Sequence, residues 1–76
     1  MVDHMNEEKM IDIWKAIFEC EDIYGESDFF ELGGNSLHAI KLIGLLEHDY
    51  GVELPFTAIL DESSPRKLTR LLLSEL

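Results

Sequence analysis

Apolar side chains recur every three to four positions at Met10, Ile13, Trp14, Ile17 and Phe18, a spacing that gathers them on one face of a helix. Asn6 stands where an N-cap belongs, and Glu7 and Glu8 follow in the first turn, where carboxylates oppose the helix dipole. These signals predict a first helix from about residue 7 to 21. From Asp22 to Asn35 the periodicity stops, and Gly25, Ser27, Asp28, Gly33 and Gly34 supply turn chemistry. A loop of that length is uncommon in a small domain unless it is functional. Phe29, Phe30 and Leu32 are expected to pin it to the core, leaving Gly33 and Gly34 to turn the chain into a second helix.

That second helix is predicted from Ser36 to Tyr50, with Gly51 suited to the left-handed position after it. At about 100° per residue, Ala39, Leu42, Ile43, Leu46 and Tyr50 share a core face, while Leu37, Lys41, Gly44, Leu45 and His48 fall roughly opposite. Phe56 to Asp61 has length only for a short third helix. Ser64 and Pro65 open a fourth, on which Leu68, Leu71, Leu72 and Leu76 continue the apolar stripe. No strand alternation and no repeat appears. The expected fold is all-α: a small four-helix bundle with a long loop between helices 1 and 2 and a short third helix.

Length and charge narrow the function. A chain of 76 residues has surface to spare and little core, so a deep catalytic cleft is not expected and the protein reads as a non-enzyme. Residues 1–5 (MVDHM) are set aside as a vector-derived or disordered leader, leaving a single domain over 6–76. Sixteen acidic against six basic residues give a formal net charge of −10, which repels nucleic acid and anionic lipid surfaces and favours basic protein partners. Cys20 is the single cysteine, expected as a small core residue; it forms no internal disulfide and makes cytoplasmic the default setting. No metal site is expected. A calcium loop begun at Asp22 would need an acid where Gly33 stands, and His4, His38 and His48 lack zinc spacing. Ser36 and His38, two apart on one helix, do not face each other as a catalytic pair, and no catalytic residue is assigned.

The informative segment runs from Ser27 to Leu37, SDFFELGGNSL, which sets one hydroxyl after two glycines at the mouth of a helix. Gly33, Gly34 and Asn35 form a flanking turn without bulk, open to a macromolecule approaching Ser36. Unpaired N–H groups and the positive dipole end at a helix start favour an anionic group on that hydroxyl. By residue type alone, Ser36 or Asn35 is equally an ordinary N-cap.

The segment resembles the attachment motif of the peptidyl carrier (thiolation) family of nonribosomal peptide synthetases. Asp28, Phe29, Phe30, Leu32, Gly33, Gly34, Ser36 and Leu37 match it in order and spacing. The resemblance extends from Ile13-Trp14 through Gly51-Val52-Glu53-Leu54-Pro55 to Pro65. Asn35 departs from the histidine or aspartate more usual before the serine. The resemblance implies phosphopantetheine carried covalently on Ser36, derived from coenzyme A and installed by a phosphopantetheinyl transferase. It further implies acyl or aminoacyl cargo held as a thioester, and partners that load it (adenylation or acyl-loading enzymes) and use it (condensation, tailoring or thioesterase enzymes). Leu37, Lys41, Leu45 and Phe56, on the second and third helices, are the implied docking surface of a monomer. The alternative from another class is an acidic helical interaction module that binds noncovalently and carries no prosthetic group.

Overall fold

In the computed structural model, which describes residues 4–76, the elements are α1 (Glu7–Phe18), α2 (Ser36–Tyr50), α3 (Phe56–Asp61) and α4 (Pro65–Glu75). Helix α1 packs on α4 and α2, and α3 packs on α2. The bundle is all-helical among the described residues, and no helix there is long and apolar enough to cross a membrane.

The caps explain where the helices begin. Asn6 accepts from the Lys9 amide at 2.8 Å, and Ser64 accepts from the Lys67 amide at 3.2 Å with Pro65 in the first turn behind it. The core gathers the expected faces: Met10 and Trp14 of α1, Ala39, Leu42 and Leu46 of α2, Ala58 and Ile59 of α3, and Leu68 and Leu72 of α4. Ile13, Ile17, Phe18, Cys20, Ile43 and Tyr50 are partly buried against it.

Four expectations need correction. Helix α1 stops at Phe18 rather than near residue 21, because Glu19 adopts a left-handed conformation (φ 52°) and the Cys20 amide closes onto the Lys15 carbonyl at 3.2 Å. That reversal precedes Ile23, an apolar residue buried in the core although it lies in the loop. Met5 belongs to the fold: it is 3% exposed and sits in the core cluster with Met10, the N′ and N4 positions of a hydrophobic staple across the Asn6 cap. His4 likewise takes part, its carbonyl accepting from Lys9 Nζ, while residues 1–3 lie outside the described range. Leu76 falls beyond the last helical residue and leaves the stripe for solvent. Of the two adjacent phenylalanines only Phe29 is buried; Phe30 is 50% exposed and packs edge to face over the Phe29 ring from the solvent side, centroids 5.4 Å apart.

Residues 19–35 are held by a clasp to the start of α4. The Phe29 amide donates to the Ser63 carbonyl at 2.7 Å, and the Arg66 amide donates to the Gly25 carbonyl at 3.0 Å. Asp28 closes the clasp: its carboxylate accepts from the Phe30 and Glu31 amides (2.9 and 3.1 Å) and from the Ser63 hydroxyl (3.0 Å). The Glu31 amide bond leads in holding the Asp28 carboxyl below the usual carboxylate range, helped by Ser63, Phe30 and the charge of Lys67 and opposed by partial desolvation.

A carboxyl with a depressed pKa in the folded state contributes stability above its unfolded pKa and loses it as pH falls through the folded value. Asp28→Ala is therefore expected to lower stability by about 2 kcal/mol at neutral pH, for the loss of charge-assisted hydrogen bonds. The gap to wild type should narrow as the solution is acidified below the ordinary carboxylate range. Urea melts across pH check both the size and the trend.

Candidate functional site

Ser36 is the first residue of α2 and is exposed. The cap is Asn35, whose side-chain oxygen accepts from the Leu37 and His38 amides at 2.9 and 3.2 Å. His38 returns the contact, its Nδ1 accepting from the Asn35 amide at 3.2 Å, which completes a capping box. The departure at position 35 thus keeps a strong capping side chain in place. Capping is settled without Ser36, and among the described residues no partner takes the Ser36 hydroxyl or its amide.

One consequence corrects the sequence reading. The first turn of α2 does not offer a full set of unpaired amides to an anion, because Asn35 occupies two of them. What remains is the Ser36 amide, the positive end of the dipole and the absence of any acidic residue in that turn, in contrast to α1 with Glu7 and Glu8. A phosphodiester on the Ser36 hydroxyl fits this setting: the hydroxyl is exposed, uncommitted and free of a repelling carboxylate on its own turn. His38 Nδ1 is turned to the Asn35 amide, so the imidazole serves the cap and not the hydroxyl.

The two glycines have separate reasons. Gly33 adopts φ 85°, a left-handed conformation that side chains resist, with open space where a Cβ would stand. Gly34 is set by packing: a Cβ there would meet the Phe29 ring and the Phe29 carbonyl oxygen, 2.6 Å away, while its amide donates to that same carbonyl at 2.9 Å. The openness expected of both therefore belongs to Gly33, and Gly34 is required by the interior.

Of the expected docking residues, Leu37, Lys41 and Phe56 are exposed, Leu37 at 59% and Phe56 at 42%. Leu45 is partly buried and lines a groove of about 560 Å³ with Lys41 of its own helix and Ala16, Ile17 and Phe18 of α1, which flanks it. Ile40, 59% exposed, and Leu60 of α3 are further exposed apolar side chains that the sequence pattern did not single out. Ile40 falls between the two drawn faces, and α3 is too short for its pattern to define a face.

The sequence matches the phosphopantetheine attachment site family over residues 8–72. Indigoidine synthase of Streptomyces lavendulae is 36% identical over 64 residues, covering 84% of this chain and 5% of that protein. The first curated relatives are all far longer, the chain spanning between 1% and 5% of their length. A type-II acyl carrier protein from Streptomyces verticillus, involved in bleomycin biosynthesis, superposes with a TM-score of 0.83 at 28% identity, covering 90% of this chain and 82% of that one. A peptidyl carrier protein, solved in complex with the phosphopantetheine transferase Sfp and coenzyme A, gives 0.85 at 25% identity, covering 97% and 99%. The resemblance carried by the Asp28 to Leu37 segment is borne out. With the family matched across nearly all of the helical core and the fold shared with acyl and peptidyl carriers, this chain belongs to the phosphopantetheine attachment site family as a carrier domain.

Proposed function

We propose that Ser36 is the attachment residue and that the chain serves nonribosomal peptide or hybrid biosynthesis, holding acyl or aminoacyl intermediates for partner enzymes. The observation that carries this reading is the uncommitted, exposed Ser36 hydroxyl at the mouth of α2, with the capping role taken by Asn35. A transferase would bring coenzyme A to it. Ser36 Oγ then bonds to the phosphorus bearing the pantetheine, adenosine 3′,5′-bisphosphate leaves, and the hydroxyl proton passes to a base outside this chain. When bound, the arm supplies a terminal thiol whose thioesters are good acyl donors, on a tether that raises cargo concentration at each partner. The protein contributes attachment, a dipole behind the phosphate and a surface address; it performs no catalysis itself.

The address is the apolar surface of Leu37 and Ile40 on α2 with Phe56 and Leu60 on α3, rimmed by Lys41. An excess of ten negative charges over the chain steers basic partners toward the domain. The partners proposed are a phosphopantetheinyl transferase, an adenylation or acyl-loading enzyme, and condensation, tailoring or thioesterase enzymes, met by a monomer in the cytoplasm.

Ser36→Ala is expected to abolish loading and to change stability by no more than about 0.5 kcal/mol, since neither the cap nor the core is touched. Mass spectrometry after incubation with coenzyme A, magnesium and a broad-specificity transferase, with circular dichroism on the same sample, tests both halves. A variant that still gains the arm places the attachment elsewhere.

Leu37→Asp and Ile40→Asp are each expected to lower kcat/KM for loading or transfer about fivefold or more, with the thermal midpoint unchanged, as befits exposed interface anchors. Leu42→Asp, which buries an unpaired carboxylate on the opposite face of the same helix, should instead unfold the domain, at a cost of several kcal/mol. Equal rates for the first two variants and wild type would remove α2 from the docking surface.

A further inference from the structure

Two aromatic contacts converge on the turn that precedes Ser36. On one side the Phe29 ring packs against Gly34 and the Phe29 carbonyl takes the Gly34 amide. On the other, the His38 ring lies stacked on Phe18, centroids 4.6 Å apart and planes 19° from parallel, with Nδ1 accepting the Asn35 amide. Phe18 and Phe29 meet edge to face at 5.4 Å, so both contacts rest on one cluster anchored in α1. Gly34 and Asn35 are thereby fixed from two directions, and the next residue is the one whose hydroxyl is free.

Nothing in helix stability demands an imidazole at position 38. In a capping box the third helical residue is ordinarily glutamate or glutamine, which reaches back to the N-cap amide without stacking on anything. Glutamate here would set a negative charge in the first turn of α2, against an incoming phosphate. Histidine supplies the acceptor without a negative charge, and the Phe18 stack holds its ring in the plane where Nδ1 meets the amide.

We infer that His38 is a positioning residue for the modification of Ser36: its Nδ1 acceptor holds the Asn35 amide, and through it the turn, in the conformation a phosphopantetheinyl transferase engages. His38 does not touch the reacting atoms. It acts on the fraction of molecules whose Ser36 is correctly presented, and a fall in that fraction raises the apparent dissociation constant in proportion while leaving the bound complex as reactive as before. The inference rests on Ser36 being the attachment residue.

His38→Phe keeps a ring on Phe18 and removes the acceptor; His38→Gln keeps an acceptor and removes the ring. Loading with coenzyme A, magnesium and a broad-specificity transferase is followed at varied carrier concentration, and amide hydrogen exchange at Asn35 is read by NMR on the same variants. For His38→Phe, Asn35 exchange should accelerate about fivefold, the size set by one lost hydrogen bond, and the KM for the carrier should rise measurably but by less than that factor, with kcat retained. His38→Gln should stay within about twofold of wild type on both readouts. Wild-type KM in His38→Phe overturns the inference, as does a His38→Gln variant that loads as poorly as His38→Phe while Asn35 stays protected. A wild-type chain that takes no arm at all overturns the attachment reading and this inference with it, whereas loading that is normal in every variant overturns only the role of His38.

Discussion

Phe29 is the side chain on which the order of residues 19–35 depends. Each residue fixed in a loop costs about 1–2 kcal/mol of backbone entropy, and a connection this long offers no internal hydrogen-bond ladder to offset it. Burial of one phenylalanine contributes about 1.5–3 kcal/mol. Its edge-to-face contacts with Trp14 and Phe18 add to that, but the loop still needs Ile23 in the core and the backbone clasp to Ser63 and Arg66. The segment in front of Ser36 is thus tied both to α1, through the aromatic contacts, and to the start of α4, through the clasp.

This arrangement separates rigidity from exposure. The underside of the turn is committed, with Gly34 under Phe29, Asn35 under His38 and Asp28 tied to Ser63. Its outer side is left uncommitted, with Ser36, Leu37 and Ile40 facing solvent. A domain this small has few residues to spend on both tasks, and the division runs between adjacent positions: 29 is buried and 30 exposed, 34 packed and 36 open. A carrier must offer the same hydroxyl and the same neighbouring surface to different enzymes in turn, and a fixed underside gives each of them one geometry to recognise.

Much of this was legible in the sequence because the relevant signals are local. Ser64-Pro65 and Gly51 mark a helix start and a helix end by backbone preference alone, and Leu42 and Leu46 fall on the core face by spacing alone. The segment around Ser36 was legible as a whole because its residue types match a known motif. The illegible parts depended on tertiary neighbours. The groove that Leu45 shares with α1 could not be seen from α2 alone, and Met5 looked like leader until it joined the core cluster with Met10. The end of α1 was misplaced because Glu19 carries no composition signal for a left-handed stop, and the burial of Ile23 further along the loop is a tertiary feature that spacing does not show. The partnership of Asn35 with His38 needed the ring of Phe18, from the far end of α1, to be seen as a unit.

Trp14 gives the aromatic cluster a property of its own. It is the only tryptophan in the chain, fully buried, 5.8 Å from Phe29 and 5.9 Å from Phe18, and its indole N–H meets no acceptor among the described residues. An indole in so apolar a setting emits at short wavelength and shifts to the red when water or a polar group reaches it. One ring beside it packs on Gly34 and the other carries the stacked His38 that accepts the Asn35 amide, so unseating the turn at Ser36 is expected to alter the surroundings of the indole. The single tryptophan, excited beyond the tyrosine band, is thereby placed to report from within the core on the state of the surface above it.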